Sequence, residues 1–171
     1  MSLSVLLCSA LMTISLPRAE YACRNMDILV EEAQKNDIEP EVLIALIHEE
    51  SRWKPHAESS AGACGLTQVI PKYTKPYVTC RNLKRSKISL REGAKALSYW
   101  VYEYGKGDYK KGLCGYNGGY KCGKNSKNYA RRVMRLAAKI NKQVATQRAY
   151  QSILKDLNLQ IDINDMMPKK E

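Results

Sequence analysis

Along most of the chain, apolar residues recur with the 3.6-residue rhythm of helices, and no stretch holds a period of two long enough to suggest a sheet. Met26, Leu29, Val30 and Ala33 predict a first helix over 21–35, ending near Asn36-Asp37. Pro40 suits the opening turn of the next helix, where its missing N–H is not needed. That helix carries Val42, Leu43, Ile44, Ala45, Leu46 and Ile47 and runs to about Ser51. Residues 72–88 are irregular, with Pro76 and several basic side chains. Ser89-Leu90-Arg91-Glu92 has the pattern of a capping box and opens a helix through Tyr104, with Gly105 as its stop. Leu90, Ala94, Leu97, Val101 and Tyr104 form its apolar face, and Tyr99 and Trp100 read as packing residues. Asp108 can cap a short helix over 109–115, followed by a Gly-rich loop with Tyr116, Asn117 and Tyr120. Ser126 caps the last major helix, with Tyr129, Val133, Leu136 and Ile140 in register, and its pattern continues with interruptions to about Leu157. Residues 159–171 look frayed, and no internal repeat is present. The prediction is an all-α (mainly α) domain.

At 171 residues the chain fits one compact domain with a sizeable core. Twenty-eight Lys and Arg against 17 Asp and Glu leave a net charge of +11, which favours anionic partners such as nucleic acid, membrane lipid or bacterial wall polymers. The basic residues are scattered, apart from Lys169-Lys170 at the end, so the charge is a general field rather than a nucleic-acid arm. Eleven Tyr, two Trp and no Phe suit a carbohydrate groove, although most of these tyrosines read as core-edge residues.

The stretch from Met1 to Leu16 is apolar but shorter than the roughly 20 residues of a membrane span. It resembles the hydrophobic region of a secretory signal, with cleavage after Ala19 or Ala22. The alternative is an uncleaved N-terminal anchor, because Arg18 follows the segment and no basic residue precedes it. The expected organisation is a signal over 1–19, a catalytic domain over 20–141 and a helical extension with a frayed tail over 142–171. Cys8 lies in the signal, which leaves five of the six cysteines. Cys64 with Cys80 and Cys114 with Cys122 would each close a local loop, leaving Cys23 odd. A zinc site is a poor fit, since there is no CxxC pair and His48 and His56 do not form HExxH.

Candidate chemistry gathers at the end of the second helix. Leu43, Leu46, Ile47 and Glu50 share one face at i, i+3, i+4 and i+7, with His48 and Glu49 rotated off it. A carboxyl at the dry end of an apolar stripe tends to keep its proton and can act as a general acid. A solvated glutamate paired with Arg52 is the plainer reading. A small-residue loop, Ser59-Ser60-Ala61-Gly62-Ala63, and a turn, Gly65-Leu66-Thr67-Gln68, follow at once.

These blocks resemble the catalytic core of the soluble lytic transglycosylase family, which has a lysozyme-like fold and cleaves peptidoglycan. The resemblance runs through Ala45-Leu46-Ile47, Glu50-Ser51, Ala61-Gly62-Ala63, Gly65-Leu66-Thr67-Gln68, Gly115-Tyr116-Asn117-Gly118-Gly119 and Tyr129 in Asn128-Tyr129-Ala130-Arg131-Arg132-Val133, and covers roughly residues 23–140. Thr67 replaces a methionine of the family pattern, glycines replace both alanines beside Tyr116-Asn117, and Cys64 is unusual.

The resemblance implies one catalytic acid, Glu50, which protonates the bridge oxygen and then takes the O6 proton as a 1,6-anhydro ring closes. Ser51, Gln68, Tyr116 and Asn117 would contact substrate, and Tyr129 would orient Glu50. Glu58 and Glu92 are the nearest later carboxylates, but the family carries no second catalytic carboxylate at the Glu58 position. His48 and His56 read as bystanders. The implied partner is a peptidoglycan glycan strand, with no cofactor, metal, nucleic acid or stable membrane span. The expected setting is exported, in the periplasm or secreted, in the service of a secretion, conjugation or phage machine. A lysozyme-type hydrolase and a non-catalytic wall-binding protein remain the alternatives.

Overall fold

A computed structural model describes residues 1–156. The expected continuation to Leu157 and the frayed 159–171 lie outside the described residues. Helix α1 spans Leu3–Thr13, α2 Ala19–Arg24, α3 Met26–Lys35 and α4 Pro40–Ser51. Then come a 3-10 turn, Pro71–Tyr73, and the short α5, Cys80–Leu83. Helix α6 spans Ser86–Ser98 and passes into a π-helical turn, Tyr99–Tyr104. Helix α7 spans Tyr109–Gly118, and α8 runs unbroken through Lys124–Asp156. Among the described residues there is no β-strand; Cys64 makes isolated bridges to Glu58 and Val69.

Helix α4 is the centre of the domain. Val42, Leu43, Ile44, Ala45, Leu46, Ile47 and His48 are all buried, so along this run the helix is enclosed on every face, as a run of apolar residues demands. It packs on α3 and α8, and α8 also packs on α1 and α7. Tyr129, Val133, Ala137, Ile140 and Val144 make the buried face of α8.

Several expected boundaries shift, each because a tertiary contact outweighs a local signal. The first predicted helix is two, broken at Asn25, whose side chain bonds the Tyr21 carbonyl. Ser89 does not cap a helix: it is fully buried inside α6, where its hydroxyl accepts from the Thr67 backbone N–H at 3.2 Å. Helix α7 outruns its expected end and carries Tyr116 and Asn117 on its last turns rather than in a loop. Asp108 caps it, accepting from the Lys110 N–H at 2.8 Å. Glycines keep α7 close to its neighbour, because a Cβ on Gly112 would stand 2.7 Å from Val101 and one on Gly115 2.4 Å from Trp100. Ser126 lies inside α8, packed under Gly118, rather than at its cap.

Cys64–Cys80 and Cys114–Cys122 are bonded as expected. The expectation that Cys23 stands alone is overturned, because it is bonded to Cys8. Within the 1–19 segment, α1 has Leu6, Leu7, Ala10 and Leu11 buried. Among the described residues no helix is long and apolar enough to cross a membrane.

Candidate active site

Glu50 stands in the last turn of α4, half-buried, one residue before the buried Ser51. The chain leaves the helix through Arg52 and Trp53, both with positive φ, and the fully buried Trp53 closes that end. Tyr129, in the second turn of α8, donates its hydroxyl to Glu50 Oε1 at 2.6 Å. Burial pushes the Glu50 carboxyl up to about 7; the Glu49 charge adds to this and the Tyr129 hydrogen bond opposes it. Burial also raises the Tyr129 and Tyr116 hydroxyls well above the ordinary tyrosine range, so both remain protonated donors. The pair is therefore a carboxyl that titrates near neutrality and a phenol that always donates to it.

Tyr116 reaches from α7 and donates to the Thr67 carbonyl at 2.7 Å, which ties the end of α7 to the Gly65–Gln68 turn. Thr67 itself is fully buried and points into α6, donating to the Ser89 carbonyl at 3.0 Å, so it fills core where the family pattern has a methionine. The Gln68 amide donates to the carbonyls of Gly65 at 3.0 Å and Ala57 at 3.2 Å, and binds the turn to the preceding loop. Among the described residues its oxygen accepts no hydrogen bond. The Ser51 hydroxyl donates to the Ile47 carbonyl at 3.3 Å within its own helix. Asn117 is exposed at the end of α7. His48 is buried, which holds its imidazole below the ordinary value, and His56 is exposed.

Three other acidic side chains, Glu58, Glu92 and Glu49, are bound to cations. Glu58 accepts from Lys84 Nζ at 2.6 Å, and the buried Glu92 accepts from Arg91 Nε at 2.8 Å and Lys95 Nζ at 3.3 Å. Glu49 accepts from Arg132 Nε at 2.8 Å. Glu58 also lies close to the sulfurs of Cys64 and Cys80, but these are spent in a disulfide and offer no thiolate to a metal. Two hollows, of about 620 and 400 Å³, open elsewhere, the first beside Met12, Tyr21 and Arg24 and the second beside Asp37, Tyr102 and Tyr109.

Sequence reasoning overlooked the Glu49–Arg132 contact. Its signal was present: Glu49 precedes Glu50, and Arg132 follows Tyr129 by one helical turn. Once Tyr129 meets Glu50, the neighbouring residues are brought into register.

This all-helical arrangement is one that solved lytic transglycosylase structures share. Residues 27–138 match the transglycosylase SLT domain, and the chain belongs to that family. A structure of a 70-kDa soluble lytic transglycosylase with bulgecin A is 17% identical, with a TM-score of 0.65 over 72% of this chain and 25% of that one. The lytic transglycosylase Slt of Pseudomonas aeruginosa, in an inactive mutant form, is 16% identical, with a TM-score of 0.65 over 81% of this chain and 30% of its own. The 70-kDa enzyme of Escherichia coli is 17% identical, with a TM-score of 0.63 over 81% and 28%. The chain thus spans less than a third of the length of these structures. No curated protein sequence matches it.

The Tyr129 contact yields a prediction of its own. Tyr129→Phe removes the hydrogen bond that favours the Glu50 carboxylate, so the carboxyl should titrate above about 7. On the reading proposed below, in which Glu50 is the acid, turnover should fall about tenfold from its lost orientation, while the alkaline limb of the rate profile moves to higher pH. A pH–rate series on the purified variant reads both.

Proposed function

We propose that this protein is a peptidoglycan lytic transglycosylase that cuts the β-1,4 bond between MurNAc and GlcNAc with Glu50 as its single catalytic acid and base. The observation that carries the reading is the Tyr129–Glu50 pair, in which the carboxyl titrates at about 7 while Glu49, Glu58 and Glu92 are each held by a cation. Tyr129 occupies Oε1, so the acid proton sits on Oε2, free to face the scissile oxygen. Glu50 gives that proton to the bridge oxygen as the C1–O bond breaks. The substrate's own N-acetyl oxygen supports the positive charge at C1, which removes the need for a second carboxylate. The Glu50 carboxylate then takes the proton from the O6 hydroxyl, and O6 bonds to C1. The acid is restored, a 1,6-anhydro end is formed and no water is consumed.

In this mechanism Gln68 presents its free oxygen, and Asn117 its exposed amide, to sugar hydroxyl and amide groups. Tyr116 holds the Gly65–Gln68 turn in place through the Thr67 carbonyl. Ser51 keeps a lone pair for a substrate donor. An exported setting accords with three disulfides, which persist in oxidising compartments. Opening the wall for a secretion, conjugation or phage machine is the role such a small cutting domain would serve.

Mass spectrometry of muropeptides released from purified peptidoglycan tests the reaction. Anhydro ends are expected. Reducing ends would make the protein a lysozyme-type hydrolase, and a lack of products would leave a wall-binding protein.

A further inference from the structure

We propose that Glu49 and Arg132 act as a positioning pair that holds Tyr129 on the Glu50 carboxyl. The proposal rests on Glu50 being the acid. Two contacts cross from α4 to α8 side by side: Tyr129 Oη to Glu50 Oε1 at 2.6 Å, and Arg132 Nε to Glu49 Oε2 at 2.8 Å. They join consecutive residues of α4 to residues one turn apart on α8. Slipping one helix past the other by a single residue moves a side chain about 1.5 Å along the axis and 100° around it. Neither bond survives such a slip, since hydrogen bonds tolerate only a few tenths of an ångström. Each contact therefore fixes the register the other needs.

Glu49 is suited to this work because its side chain is only 10% exposed, whereas Arg132 is 52% exposed and reaches it from the rim. Arg52, at the end of α4, stands 4.0 Å from the second Glu49 oxygen. The charged and titratable groups around Glu50 are thus Glu49 and Arg52 on its own helix, Tyr116 from α7, and Tyr129 with Arg132 from α8. The Glu49 charge favours the protonated form of Glu50, and Arg132, bonded to Glu49, offsets that charge. One ion pair so combines two effects that substitution can separate.

Glu49→Gln keeps an oxygen for Arg132 and removes the charge. Its kcat at acid pH should stay within about twofold of wild type, and its alkaline limb should move to lower pH. Arg132→Ala removes the clamp and leaves Glu49 without its nearest counter-charge. Here kcat should fall about tenfold with KM unchanged, and the alkaline limb should move to higher pH. Arg132→Lys should recover part of the loss, and Glu49→Gln with Arg132→Ala should lose no more kcat than Arg132→Ala alone. Carbon-13 NMR titration of the Glu50 carboxyl reads the same shifts without turnover, so the pair remains testable even if Glu50 proves not to be the acid. Wild-type kcat and an unmoved Glu50 titration in Arg132→Ala would overturn the proposal. So would a loss that Arg132→Lys shares in full with the Glu50 titration unmoved, because that pattern belongs to a general packing role.

Discussion

Glu50→Gln is expected to abolish measurable cleavage of peptidoglycan, lowering turnover by about 10³-fold or more, while the protein stays folded. The amide has the shape of the acid and can still accept from Tyr129 through its oxygen. It has no proton to give and cannot take one from O6, so both halves of the reaction stop. Stability should move the other way. The folded carboxyl titrates at about 7 against an ordinary 4.5, so the wild-type protein loses stability as pH rises between those values, because the unfolded chain releases a proton that the folded one keeps. The amide carries no such cost, and its melting temperature should equal the wild-type value at acid pH and exceed it above about 7. The wild-type rate should also decline above about 7, as the acid loses its proton. Calorimetry across pH, beside muropeptide release, reads all of this. A Glu50→Gln protein that still solubilises wall would sink the assignment.

The second large effect is structural. Gly65→Ala should lower stability by about 2–4 kcal/mol, which is on the order of 10 °C in melting temperature for a chain of this length. Gly65 has φ +78°, a conformation that strains any L side chain. A Cβ there would also stand 2.0 Å from the Leu83 carbonyl oxygen and 2.8 Å from the Ser89 hydroxyl. Backbone cannot swing aside as a long side chain can, and the Cys64–Cys80 bond beside it ties α5 to the same turn. The strain would reach Thr67 and Gln68, so activity should fall together with the melting temperature. Thermal denaturation of the variant checks the first effect, and wall lysis below its transition checks the second.

Much of the site was readable because it is local. The apolar run of α4 leads directly to Glu50, and the cysteines at 64, 80, 114 and 122 pair across short loops. The Glu50–Tyr129 contact joins residues 79 apart and was reached only through the family resemblance. Contacts without such a guide were missed. Ser89 looks like a helix cap by spacing, yet its hydroxyl serves a turn 22 residues earlier. Tyr116 and Asn117 look like loop residues among glycines, but those glycines let a helix pack closely. The apolar character of its segment marks Cys8 as part of a signal and leaves Cys23 without a local partner, yet the two are bonded to each other. In each instance a rule about near neighbours was correct in general and was outweighed by a partner far away in the chain.

Seven residues in succession on α4, from Val42 to His48, are enclosed on every side. A helix at a protein's rim lends some of its positions to neutral drift, and this one has none to lend along that run. A change of volume there must be answered by another in the helices packed on it, α3 or α8. The segment that carries Glu50 can therefore diverge only in concert with its neighbours, by paired exchanges rather than by single steps.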